Sequence, residues 1–122
     1  MPLKPDKTNQ TLVYHTDDIS EILTAHDSGT KKVFLNSEQT GNSITQIAFG
    51  KLETGESVKT HSHQTMTEYF YFTEGVGDYI IEGQTHSLKK GSFVIIPEKT
   101  EHSLINTGSE PLCFFYFGIA SN

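Results

Sequence analysis

The chain has 122 residues and a formal net charge of −6, with nine basic residues against fifteen acidic ones. That length suits one domain able to bury a core without staples, and the acidic balance offers no basic footprint to nucleic acid. All nine basic residues are lysines, so substrates that need arginine's bidentate grip are disfavoured, although a metal or a lysine could still hold an anion.

Residues 1–16 are polar and carry two prolines, which suggests an arm or an edge strand. No apolar stretch there resembles a signal peptide, and none elsewhere nears the roughly 18 residues a membrane helix needs. The expectation is a soluble, cytoplasmic protein with no membrane partner. Asp18 followed three residues later by Glu21 offers a helix cap over 17–23, and Asp27-Ser28-Gly29 breaks that segment. An N-terminal arm with a short helix, residues 1–30, then gives way to a β domain over 31–122.

Runs rich in Ile, Val, Phe, Tyr and Thr mark strands at Lys32–Leu35, Ile44–Leu52, Glu68–Thr73, Tyr79–Glu82, Phe93–Ile96, Ser103–Asn106 and Leu112–Phe117. Glycine-bearing turn signals separate them, among them Thr54-Gly55-Glu56, Glu82-Gly83-Gln84 and Lys90-Gly91. Short strands at such intervals predict an all-β sandwich or barrel. In Tyr69-Phe70-Tyr71-Phe72, alternation sends Phe70 and Phe72 inward with Glu68, and turns Tyr69, Tyr71 and Thr73 outward. An outward tyrosine pair fits a subunit contact, so a homodimer is expected. The lone cysteine, Cys113, precludes an internal disulfide and sits in an apolar run where an inert thiol is expected.

The chemistry concentrates at His61-Ser62-His63, Glu68 and His102. Residues two apart on a strand share a face, so His61 and His63 point together. Glu68 joins them if the chain turns at 64–67. Three imidazoles and a carboxylate suit Fe, Mn, Co, Ni, Cu or Zn. His86 lies two residues before Leu88 and is read as a core or rim histidine, with a supporting role at the site as the rival reading. His15 and His26 read as surface residues. Gln46, Tyr79 and Tyr116 lie on predicted strands and could line a cavity, depending on register.

The spacing extends further. Gly55, five residues, His61-Ser62-His63, four residues, Glu68, six residues and Gly75 resemble the first signature motif of the cupin superfamily. Gly91, five residues, Pro97, then His102, three residues and Asn106 resemble the second, and the fifteen residues between Gly75 and Gly91 match compact microbial single-domain cupins. Two interlocking motifs are far more specific than one His-x-His. The chain departs from the pattern at Lys99, where the family commonly has glycine, and at Ser92, where it often has Asp. If the position of Lys99 needs φ > 0, lysine costs about 1–2 kcal/mol there and the loop presenting His102 is expected to be shaped differently.

The resemblance implies a jelly-roll barrel in which His61, His63, Glu68 and His102 converge on a divalent transition metal and bind a small-molecule substrate. The expected activity is metal-dependent isomerisation or epimerisation of a sugar-like polar metabolite. Two alternatives stand beside it, a non-haem iron dioxygenase and a non-catalytic metal- or ligand-binding module, because a fold alone does not define a function.

Overall fold

The computed structural model describes residues 13–25 and 28–121. The sequence readings on residues 1–12 and on His26 therefore lie outside the described residues. Ten strands form two antiparallel sheets: β1 (Ile22–Leu23), β2 (Thr30–Asn36), β3 (Ile44–Leu52), β4 (Ser57–His61), β5 (Met66–Glu74), β6 (Gly77–Ile81), β7 (Gln84–Leu88), β8 (Phe93–Ile96), β9 (His102–Asn106) and β10 (Leu112–Ala120). One sheet runs β1-β2-β3-β10-β5-β8 and the other β4-β9-β6-β7. The expected all-β jelly roll is what the chain forms.

Among the described residues, helix is confined to a 3-10 turn at Thr16–Asp18 and the single-turn α1 at Ser37–Thr40. The helix expected over 17–23 is corrected to that turn, because Ile22 and Leu23 pair instead with Lys31 and Thr30 of β2. The local cap thus loses to a sheet contact available only after folding. No helix among the described residues is long and apolar enough to cross a membrane.

Two strands, β4 and β7, went unmarked as apolar runs. Each is an outer strand of the four-stranded sheet, and Gln84–Leu88 carries one aliphatic residue while Ser57–His61 carries only Val58. The β6–β7 link is a two-residue turn, with Glu82 at φ 48 and Gly83 at φ 77, which matches the type I′ turn that follows strand twist.

The inward residues change character along each strand. On β5 they run Glu68, Phe70, Phe72; on β9, His102, Leu104, Asn106; on β10, Tyr116, Phe114, Leu112. The first two of each trio line a cavity, whereas Phe72, Leu112 and Asn106 are buried beyond it with Leu52 and Leu88. One end of the barrel is therefore a hydrophobic plug and the other an open chamber. Phe70 stacks on Tyr116 with ring centroids 5.3 Å apart and meets Tyr79 edge-on at 5.5 Å, forming the aromatic floor between them.

At the closed end Asn106, 2% exposed, joins separate pieces of chain. Its Nδ2 donates to the carbonyls of Leu52 (3.0 Å) and Glu110 (2.9 Å), and its Oδ1 accepts from Gly108 N–H (2.8 Å). Gly75 (φ 85) must lack a side chain, because a Cβ there would collide with the Pro111 carbonyl.

Candidate metal centre

Each sequence-predicted ligand reaches one chamber, by different routes. His61 ends β4 and His102 begins β9, and the two are cross-strand partners. Their rings lie 4.2 Å apart between centroids. His63 lies two residues beyond β4, held where its carbonyl accepts the Lys99 N–H at 2.6 Å. The chain then bends at Gln64-Thr65, and β5 begins at Met66. That bend returns Glu68 inward from the opposite sheet, between Gly118 of β10 and Ile96 of β8.

The coordinating nitrogens of His61, His63 and His102 lie within 4.8 Å of one another. Glu68 Oε1 is 3.2 Å from His63 Nε2 and 3.8 Å from His102 Nε2. The Nδ1 atoms of His61 and His102 meet the carbonyls of Lys59 and Thr100, both at 2.8 Å. Carbonyls can only accept, so these contacts place the proton on Nδ1 and leave Nε2 as a lone-pair donor. His102 Nε2 is buried with no hydrogen-bond partner among the described residues. A lone pair stranded there costs about 1–3 kcal/mol unless something binds it. The cluster could hold a metal ion, and the stranded lone pair is the feature such an ion would satisfy.

Electrostatics separate the two imidazoles. The hydrogen bond to Glu68 raises the pKa of His63, partly opposed by burial. Burial lowers that of His102, against the pull of the Thr100 carbonyl. Burial also pushes the phenols of Tyr79 and Tyr116 above their ordinary range, so both stay protonated near neutral pH and act as donors.

The chamber has a volume of about 190 Å³ and includes Gln46, Tyr79 and Tyr116 in its wall. Val58, Met66, Phe70, Leu104 and Phe114 supply apolar surface. Lys31 also lines it, a residue that sequence reasoning missed by starting the strand at Lys32. Counting back by two from buried Val33 would have placed Lys31 inward. His86 is corrected to an exposed position. It pairs with buried Tyr79 across β6 and β7, but β7 is the outer strand, with no neighbour on its far side among the described residues. His15 is exposed as expected.

Lys99 takes φ 60, so the turn position does adopt the left-handed conformation with lysine in it, and its N–H donates to the His63 carbonyl.

A family model described as a cupin domain matches residues 48–118. A predicted oxalate decarboxylase from Thermotoga maritima superposes with a TM-score of 0.82 at 25% identity, covering 89% of this chain and 99% of that one. A sugar phosphate isomerase of the cupin superfamily from Silicibacter pomeroyi gives a TM-score of 0.69 at 17% identity, covering 84% of this chain and 72% of that one, a likeness of fold. An uncharacterised protein of Methanocaldococcus jannaschii is 36% identical over 58 residues, 48% of this chain and 46% of that protein. The match thus spans about half the length of that curated relative.

Proposed function

Because the chain belongs to the cupin family, we propose that it is a metal-dependent enzyme that moves a proton next to a carbonyl of a small polar metabolite, in the manner of an isomerase or epimerase. His61, His63, His102 and Glu68 would hold a divalent transition metal, and their donor types admit Fe, Mn, Co, Ni, Cu or Zn. The observation that carries this reading is His102 Nε2, buried and unpartnered while the opposite nitrogen is fixed on the Thr100 carbonyl. When bound, the ion would supply Lewis acidity toward substrate oxygens.

The remaining work falls to the chain. The Lys59 and Thr100 carbonyls fix the imidazole tautomers, as outer partners of ligating histidines do. The protonated phenols of Tyr79 and Tyr116 line the same chamber and would donate to a substrate oxygen on which negative charge develops, which supports an enolising reading. Val58, Phe70 and Leu104 give the chamber an apolar wall, which lowers the local polarity and strengthens those interactions.

The test starts with elemental analysis of the purified protein. Small hydroxy-carbonyl compounds are then incubated with it in D2O under anaerobic conditions and read by NMR. Deuterium should enter beside the carbonyl, and both metal and exchange should vanish in the H61A/H63A double variant. Oxygen uptake in a parallel aerobic incubation, with no anaerobic exchange, would replace the reading with a dioxygenase. Tight binding of metal and ligand without turnover would leave a binding module.

The proposed assembly is a homodimer formed through the outer face of the larger sheet. Tyr71 (47% exposed), Phe93 (58%), Ile95 (49%), Phe115 (36%) and Ile119 (36%) share that face. Tyr69 bridges them by stacking on Phe117 at 5.1 Å and Phe93 at 6.5 Å. The five exposed side chains present roughly 450 Å², over half of the ~800 Å² per partner that a stable dimer buries. They carry no charge, so a second copy of this acidic chain meets no repulsion there.

A further inference from the structure

Lys31 is the one lysine among the described residues that line the chamber. Its place follows from the register: it sits two before buried Val33 on β2, opposite Gly50 of β3. Gly50 has no side chain to offer, because a Cβ there would come within 2.5 Å of the Phe114 ring. Lys31 therefore reaches along the chamber wall, and its Nζ donates to Gln46 Oε1 at 3.2 Å.

Two features of this pair point to a ligand. Lys31 makes no ion pair among the described residues, whereas Lys51 engages both Glu21 and Glu53. The carboxylate in the chamber wall, Glu68, is already engaged by His63 at 3.2 Å. A half-buried ammonium with no ion-pair partner is costly to the fold, and burial lowers the Lys31 pKa, partly opposed by the charge of Glu68. The second feature is directional. An ammonium only donates, so the Gln46 amide must turn its oxygen to Lys31 and its NH2 group away. The pair thus offers donors alone, from two side chains on one wall.

We propose that Lys31, braced by Gln46, binds the carboxylate of a small hydroxy- or oxo-carboxylate whose neighbouring oxygen faces the histidine cluster. This rests on the metal-site reading above and names its substrate class. A carboxylate is acceptor-only and matches a donor-only wall. Lys31 provides a single point charge, which balances one carboxylate, and the described chamber wall holds no second lysine to match a doubly charged phosphate. The chamber of about 190 Å³ is below the roughly 300–1,000 Å³ that takes drug-sized ligands, which limits the ligand to a few carbons beyond its carboxylate.

The test compares lactate with lactamide, and pyruvate with pyruvamide, by calorimetric titration into metal-loaded protein. Wild type should prefer each acid at least about tenfold, one desolvated charge contact being worth that much. The K31M and K31Q variants should lose most of that preference while keeping wild-type metal content by elemental analysis. K31R should retain part of it. The thermal midpoint of K31M should stay level or rise, since a cation kept for binding is a cost to folding, whereas a structural lysine would lower it. A preference unchanged in both neutral variants would come from the metal alone and overturns the assignment, as does a wild type indifferent to the acid. Wild-type protein that takes up no metal sinks the metal-site reading and this one together. Metal uptake without a charge preference sinks this one alone.

Discussion

Lys99 holds a backbone conformation that its own Cβ opposes. At φ 60 a non-glycine residue costs about 1–2 kcal/mol, and only its N–H, bonded to the His63 carbonyl, is used by the fold. Lys99→Gly should stabilise the protein by up to about 1 kcal/mol, the relief being partly offset by glycine's greater freedom when unfolded. Thermal unfolding should show a rise of a few degrees, and a fall would mean that the lysine side chain contributes something the backbone argument omits. The histidines give a second residue-scale expectation, for metal-free protein. His63 has a raised pKa, so its contribution is full below the ordinary 6.5 and fades as pH rises through the folded value. His102 has a lowered pKa. It favours the unfolded chain as pH falls below 6.5, because the unfolded imidazole takes a proton that the folded one resists. Thermal midpoints followed from about pH 8 to about pH 5 should fall less steeply in H102Q than in wild type, and more steeply in H63Q. The reverse order would contradict the burial and hydrogen-bond causes assigned here.

Among the elements, the site depends on joining β4, which ends in His61, to β9, which begins with His102, and on bringing β5 from the other sheet to face them. Asn106 secures the far end of β9 through three bonds to Leu52, Glu110 and Gly108. Asn106→Ala strips the buried Leu52 carbonyl, the half-buried Glu110 carbonyl and the Gly108 N–H of their partner, and should cost about 2–3 kcal/mol. Denaturant titration would measure it. Metal content at low temperature should be retained, because Asn106 lies at the closed end and touches no ligand; loss of metal in a folded variant would show that β9 shifts as a unit. The strands legible in the sequence, such as Ile44–Leu52 and Phe93–Ile96, have apolar or β-branched runs bounded by turn residues. The illegible ones, β4 and β7, turn most of their side chains to solvent and carry one aliphatic residue each, so their pairing leaves a weak apolar pattern.

At the scale of the molecule, the acidic chain keeps an uncharged aromatic face on its larger sheet. Phe93→Lys should abolish the proposed dimer, read as a halved mass in sedimentation at micromolar concentration with metal content unchanged. Wild-type protein that remains a monomer at every accessible concentration would dispose of the dimer. Stability itself lies deeper, in the plug around Phe72, which is fully buried; truncating such a phenylalanine costs about 3–5 kcal/mol.

The sequence by itself determined the class of fold, the family and the four residues that gather at the chamber. Those rest on local rules, since alternation assigns a face, turn residues end strands and motif spacing sets the distance between them. Only the tertiary structure decided that Ile22 and Leu23 extend a sheet, that His86 stands in solvent, and that Lys31 reaches Gln46 across the chamber wall. Each of those depends on which strands become neighbours. That pairing joins segments far apart in the chain, β3 with β10 and β10 with β5, and no local pattern records what will lie opposite a given side chain once the barrel closes.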